Sequence, residues 1–392
     1  MKIFLICGKH PIKAKSGYAS YAYSLAKNLC AQKHVVHIFC IDRQTKVQKT
    51  EIGTIHTIHS RFSSMVALLP LSILLANAIR KEDTTHVLLW GIGPWSLAGA
   101  FVKLASTLPP KLYSDYFTSV RHEDWGMVQG ISRRDHGSFE CLKTFFAFCT
   151  ITQIYSLLER FLLSQSDKVI THYKSTENIL NYEFAVSNFL RLPYSVSRDE
   201  SNSNYKLQTT NYPTVLCVSR HDPRKGINFL LHAFTILQKQ NIAFQGVLIG
   251  NGPLLSAHRK LAQKLALKNV SIVGSQENIE KYLRSASVFV LPSIEEGSGS
   301  LSVLEAMKYG LPIVATNIDG IPEDLHDNKT ALLVPPKDPI ALADGIEKLL
   351  VSRKLAKKLG TQAKKDYFAR FSSTQMRLGL KGSRIFQNDI GT

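Results

Sequence analysis

The stretch LPSIEEGSGSLSVLEAMKYGLPIVAT, Leu291 to Thr316, decides the fold of this 392-residue chain. The apolar run ASVFVL (Ala286 to Leu291) reads as a buried parallel strand, Pro292 stops it, a Gly/Ser loop follows, and Leu301 to Tyr309 has helix-forming composition. A glycine-rich loop thus opens straight onto a helix N-terminus. Free backbone N–H groups and the positive end of the helix dipole suit that place to an anion such as a diphosphate. Glu305 lies about one turn into the helix, where a carboxylate can accept hydrogen bonds from ribose hydroxyls.

Upstream, VLCVSRHDPRKGINFLLHA (Val215 to Ala233) reads as a buried strand, a basic loop with Pro223 and Gly226, and a helix. Arg220 and Lys225 bracket the loop, and a guanidinium and an ammonium converging on one pyrophosphate would neutralise charge on a leaving group. Arg224 stands beside Lys225, so composition leaves open which of the two faces inward. GVLIGNGPL (Gly246 to Leu254) is a strand ending in a Gly-Asn-Gly-Pro turn, and VSIVG (Val270 to Gly274) is another short strand.

Taken together, these stretches resemble the retaining glycosyltransferases of family 4, the glycosyl transferases of group 1. The resemblance implies an α/β chain of the GT-B fold, with two Rossmann-like domains whose parallel sheets face an interdomain cleft. It implies transfer of a sugar from a nucleotide-diphosphate donor to an acceptor hydroxyl. In that family the two acidic residues of the region are separated by seven positions; the first approaches the donor sugar and the second holds the ribose. Here Gly297 stands at the first place, Glu296 is nine positions before Glu305 and Glu295 ten. With one residue added in the Gly297–Ser300 loop, the first role falls to Glu296, with Glu295 as the alternative, and the second to Glu305. The family pattern assigns the donor diphosphate to Arg220, Lys225 and the Gly299-Ser300-Leu301 helix start, and backbone contacts with the base to the segment from Ser275. It matches Gly17 to the first turn glycine, although the usual paired glycine is Ser16. A histidine near the sugar in relatives has Tyr116 at the nearest place here, with His122 a few residues on. DGIPE (Asp319 to Glu323) and ALLVPPKDP (Ala331 to Pro339) complete the pattern, with Ala331 where a glycine is usual. No metal and no cofactor are implied, because Arg and Lys do the electrostatic work.

Length and alternating strand and helix patterns indicate two domains. The expected limits are 1–194 for an N-terminal acceptor-side domain, 195–212 for a Ser/Asn/Thr-rich linker and 213–370 for the donor domain, with a helix at about 371–388 crossing back. The first half opens with KIFLIC (Lys2 to Cys7) as a strand, then a helix from about Tyr18 to Cys30, and VVHIFCI (Val35 to Ile41) as the second strand. No signal peptide is read ahead of it. His86 to Leu89 and Lys111 to Ser114 are short strands, whereas Asp115 to Glu140 has no recognisable pattern. Three windows lack charge, Phe62 to Ile79, Thr84 to Val102 and Thr144 to Leu158. All are expected to be buried α/β segments; the third is also suited to an interfacial helix. Six scattered cysteines without a C-x-x-C pair read as small buried hydrophobes of a reducing compartment.

Net charge is +18, and residues 1–50 (nine Lys/Arg, one Asp) and 351–392 (ten Lys/Arg, two Asp) contribute +8 each. A basic acceptor side fits an acidic glycan, a lipid-linked glycan or an anionic membrane, so the expectation is a cytoplasmic enzyme in peripheral contact with the inner face of the membrane. Charge alone also suggests nucleic-acid binding, but no recognition motif or basic–aromatic interleaving accompanies it. A sugar-nucleotide epimerase or a phosphorylase on the same fold is the alternative enzyme.

Overall fold

A computed structural model describes residues 1–14, 17–60, 67–82, 87–130, 138–195, 212–276, 278–383 and 385–386. The chain forms two compact units, one of Met1–Ser119, Tyr155–Glu200 and Phe371–Thr392, the other of Val120–Ile154 and Ser201–Arg370. Each is built on its own sheet.

In the first unit the strands are β1 (Lys2–Ile6), β2 (Val35–Asp42), β3 (Lys46–Thr50), β4 (Gly53–His59), β5 (Val87–Ile92), β6 (Lys111–Asp115), β7 (Lys168–Thr171) and β8 (Phe189–Arg191), in the order β3-β4-β2-β1-β5-β6-β7-β8. Strands covered by helices on both faces read as continuous apolar runs, as KIFLI and VLLWGI do. Phe4, Phe39, Leu71, Leu75, Leu89 and Leu112 belong to one core cluster. The sheet is parallel except at its edge, where β3 runs antiparallel to β4. Gly53 closes that hairpin at φ +112°, and a Cβ there would sit 2.3 Å from the Val36 carbonyl oxygen. The expected helix near 371–388 is Ser373–Gly382; its Met376 packs on Ser24 and Asn28, and Gly379 lies against Pro193.

In the second unit β9 (Thr214–Val218), β10 (Gln245–Ile249), β11 (Val270–Gly274), β12 (Val288–Leu291), β13 (Ile313–Thr316) and β14 (Leu332–Val334) pair in the order β11-β10-β9-β12-β13-β14, all parallel. The chain winds outward from β9 to β11 and then returns beside β9, so the order reverses between β9 and β12. At such a switch point two loops leave adjacent carboxyl ends in opposite directions and open a crevice. Local sequence sets the ends of the flanking helices. Asp338 accepts hydrogen bonds from the Ile340 and Ala341 N–H groups ahead of helix Pro339–Val351, and Gly310 at φ +69° ends helix Leu301–Tyr309.

Several expectations are corrected. Val120–Ile154, assigned from sequence to the first domain, belongs by its contacts to the second unit. The patternless Asp115–Glu140 contains the end of β6 and a helix, Val120–Gly130. Thr144 to Leu158 is not core: Phe145, Phe146, Ile151, Ile154 and Leu157 are exposed, because alternation of apolar residues says nothing about what covers them. All six cysteines are free; Cys149 is exposed and Cys30 and Cys141 are half-buried, so only Cys7, Cys40 and Cys217 are core hydrophobes. Ser16 and residues 196–211 of the expected linker lie outside the described residues.

Candidate functional site

Loops leaving β9, β12 and β13 meet at the switch point of the second unit. The β9 loop carries a single-turn helix, Pro223–Lys225, whose start is capped by the Asp222 side chain. Gly226 ends it at φ +58°, and a Cβ there would stand 2.0 Å from the Pro292 carbonyl oxygen, so only glycine lets the β9 and β12 loops touch. The Arg224 carbonyl accepts from the Ile294 N–H (2.6 Å) and the Glu295 N–H (3.3 Å), which stitches the two loops together. From the β13 loop, Asp319 Oδ2 accepts from the Glu296 and Gly297 N–H groups, each at 2.8 Å. Asp319 adopts φ +43°, a conformation asparagine and aspartate tolerate better than most side chains.

Charge is paired across these loops. Lys225 Nζ lies 2.8 Å from Glu296 Oε2, and the Ser293 hydroxyl donates to Glu296 Oε1. Arg224, buried, binds Glu295 Oε2 (2.9 Å) and Glu123 Oε1 (2.7 Å) and approaches Asp222 (3.6 Å). Arg224 is thus shared among three carboxylates, whereas Lys225 pairs with Glu296. Arg220 has a side chain 64% exposed and only a 3.4 Å approach to Asp222.

Burial pushes the Glu295 carboxyl up to about 7 against the pull of Arg224 and Lys225, and its Oε1 has no hydrogen-bond partner. Burial alone would also raise Asp319; the His122 side chain and the two backbone N–H groups outweigh it and hold Asp319 below the usual range. His122, on helix Val120–Gly130, places Nε2 3.3 Å from Asp319 Oδ1 and 3.9 Å from Glu295 Oε1. His122, Glu295 and Asp319 offer one ligand atom each within 4.8 Å of one another, the group that could hold a metal ion among the described residues. Sequence showed no such cluster, because its members are scattered over nearly 200 positions. Beside the site, His221 and His258 share a 2.9 Å Nδ1–Nδ1 contact, and burial, with Arg259, lowers His221 to about 4.

The remaining predicted residues fall as follows. Gly299 and Ser300 lead into helix Leu301–Tyr309, whose start has no side-chain cap, and Glu305 sits half-buried one turn along it. Ser275 is exposed just after β11. Gly17 begins helix Gly17–Ala31 in the first unit, exposed. Tyr116 is buried in the first unit's core, and burial, with Glu159 nearby, raises its hydroxyl well above the usual tyrosine range. Of the pair Tyr116 and His122, only His122 joins the cluster around Glu295. The role of Asp319 was missed, although an Asp-Gly pair after a strand signals a left-handed turn.

Two Rossmann-like domains, each with its parallel strands and flanking helices, and a cation–carboxylate cluster at the second one's switch point define a GT-B protein. Residues 199–366 match the family model described as Glycosyl transferases group 1. A GDP-mannose-dependent alpha-(1-6)-phosphatidylinositol monomannoside mannosyltransferase of Mycobacterium tuberculosis is 32% identical over 177 residues, 43% of this chain and 46% of that relative. The chain thus aligns with less than half the length of that protein. A sucrose-phosphate synthase from Thermosynechococcus elongatus has the same fold, with TM-score 0.75 and 22% identity over 97% of both chains. HepE of Anabaena, solved in complex with UDP and glucose, matches at TM-score 0.70 and 14% identity over 98% of this chain and 99% of its own. Residues 199–366 thus match the group 1 glycosyltransferases, and the chain as a whole has the fold of GT-B glycosyltransferases.

Proposed function

We propose that the protein moves a sugar from a nucleotide-diphosphate donor to an acceptor hydroxyl with retention of anomeric configuration, as a family 4 enzyme. The observation that carries this reading is the Lys225–Glu296 pair beside the uncapped start of helix Leu301–Tyr309. A bound diphosphate draws Lys225 and the exposed Arg220 onto its oxygens, and the Gly299, Ser300 and Leu301 backbone adds the helix dipole. Glu296, released from Lys225, accepts hydrogen bonds from sugar hydroxyls and orients the ring. Glu305 holds the ribose, the backbone from Ser275 meets the base, and Gly17 belongs to the acceptor-side domain. The departing phosphate itself assists deprotonation of the acceptor hydroxyl. These cationic side chains carry the charge stabilisation without a metal or cofactor.

The acceptor is a glycan or lipid-linked glycan of the cell envelope. The mannosyltransferase relative acts on a phosphatidylinositol mannoside by its description, which supports an acceptor of this kind. The basic chain ends favour an anionic acceptor or membrane and a cytoplasmic site of action.

Thermal shift with UDP, GDP, ADP and their sugars tests the donor reading, since a ligand stabilises the fold by RT ln(1 + [L]/Kd). At least one nucleotide should raise the melting temperature, and Glu305→Gln should weaken its affinity roughly tenfold, the worth of one charged hydrogen bond. Absence of a shift with every nucleotide sinks the donor reading; equal shifts in parent and variant sink only the ribose role.

A further inference from the structure

The charge-free run Thr144 to Leu158 falls in helices Ser138–Cys149 and Ile151–Gln165. Among the described residues, Cys141–Gln165 is the stretch long and apolar enough to cross a membrane by length and composition, yet only 6% of its most apolar window is buried. A core helix of a soluble domain would be mostly covered, so the core reading fails. Phe139, Leu142, Phe145 and Phe146 recur at helical spacing and are exposed, Phe139 to 76%, and Ile151 and Ile154 continue the apolar surface beyond Thr150. The other face is anchored. The Thr152 hydroxyl is buried and donates to Asp124 on helix Val120–Gly130, and Glu159 is buried farther along. A segment held to protein on one face cannot be surrounded by lipid, but it can lie in a membrane surface.

We propose that the apolar face carrying Phe139, Leu142, Phe145, Phe146, Ile151 and Ile154 inserts into the headgroup boundary of an anionic bilayer. This goes beyond the donor reading and does not rest on it. It also differs from attraction by the basic chain ends, because apolar burial resists salt whereas surface charge does not. The face has the chemistry of an interfacial helix, aromatic and aliphatic residues with a cation among them: Lys143 lies exposed within the stripe. The core of an interface with a second copy would bury that ammonium, and such cores are depleted of lysine. At a headgroup boundary the aliphatic stem lies along the apolar surface while the ammonium meets phosphate.

Trp125 supplies a native reporter: it is exposed on the adjoining helix with its ring 5.3 Å from Phe148. The full chain is sedimented with vesicles of phosphatidylcholine alone and of phosphatidylcholine with phosphatidylglycerol, at low salt and at about 0.5 M, where surface charges are screened within several Å. Binding to the anionic vesicles should persist at high salt, with a blue shift of emission that Trp125→Phe removes. Phe145→Ser with Phe146→Ser should lower the salt-resistant partition roughly tenfold or more. Both side chains are exposed, so the double variant should melt like the parent and keep its nucleotide shift. The proposal is overturned by binding that salt abolishes, by no binding to either vesicle, or by a double variant that partitions like the parent. It is equally overturned by a lipid-free dimer, seen by light scattering, that the double variant dissociates.

Discussion

The two units treat carboxylates at the carboxyl edges of their sheets in opposite ways. In the first, Asp115 at the end of β6 is fully buried and surrounded by ring and hydroxyl partners: Tyr21 Oη at 2.5 Å, Trp90 Nε1 at 3.3 Å and His172 Nε2 at 3.0 Å. Rings of Tyr21, Phe117, His172 and Tyr194 pack edge and face around it, and His172 reaches on to the Leu192 carbonyl at 2.9 Å. In the second, Glu295, Glu296 and Asp319 face Arg224, Lys225, His122 and backbone N–H groups, with Glu295 Oε1 unpartnered and Arg220 extended toward solvent. A cage whose donors and acceptors match has nothing left to offer a ligand. A cluster with an orphan acceptor and a loosely held cation has. The contrast separates a polar core whose groups are matched among themselves from one that leaves an acceptor and an exposed cation over.

The largest effect that tests this contrast belongs to Arg224. Arg224→Ala leaves Glu295, Asp222 and Glu123 without their shared cation, and breaking a buried pair of this kind costs about 3–5 kcal/mol. Denaturant unfolding should show that loss; a variant within about 1 kcal/mol of the parent would mean that water replaces the guanidinium and the cluster is open. Next comes Asp115→Asn, which keeps the shape of the first unit's cage but replaces an acceptor by a donor. Stability should fall by about 2–3 kcal/mol while nucleotide affinity stays unchanged. A loss of affinity would show that this cage is part of the binding machinery.

Lys225→Ala should do the reverse of Asp115→Asn. It should raise the activation barrier by about 2 kcal/mol, a thirtyfold slower transfer, with a smaller change in stability than Arg224→Ala causes. Should Lys225→Ala turn over like the parent, the inward cation has been misassigned. The smallest effect is a slope with pH. Glu295, raised from 4.5 to about 7 by burial, holds a proton in the folded state that the unfolded chain releases, so its contribution to stability falls as pH rises from about 4.5 to 7. His221, lowered from 6.5 to about 4, acts oppositely within and below that window: its contribution is lost as pH falls from about 6.5 to about 4. Melting curves of Glu295→Gln minus the parent cancel the histidine. The difference should grow in favour of the variant by no more than about 1.4 kcal/mol per pH unit across that window. A flat difference would mean that Glu295 is ionised throughout.

Legibility in the sequence followed the range of the interactions. Strands β9, β11 and β12, the helix at Leu301 and the basic and Gly/Ser loops were readable because a buried parallel strand, its terminating proline and the following helix start are written within a few residues, whereas the pairing of Lys225 with Glu296 was not. The convergence of His122 with Asp319, 197 positions later (319 − 122), was not, since spacing carries no information about which loops a sheet order brings together. Nor could alternation or hydropathy show that helix Val120–Gly130 packs beside Pro223–Lys225, or that Phe145 and Phe146 face outward. Apolar composition predicts that something covers a surface without saying whether protein does. The antiparallel edge strand β3 escaped notice for a related reason: KVQKT is polar and exposed, with nothing in it to pack.

Gly226 has a consequence for how quickly this domain can respond. Because its missing side chain lets the β9 loop rest on the Pro292 carbonyl, with Ile294 and Glu295 both bonded to Arg224, the ammonium of Lys225 and the carboxylate of Glu296 hang from a single stiff bracket. An arriving anion need not gather them from separate wandering loops; the entropy of bringing them together was lost when the domain folded. On the donor reading proposed above, exchange of Glu296 for a phosphate oxygen on Lys225 would need a side-chain rotation, on the order of nanoseconds, rather than a slower loop closure.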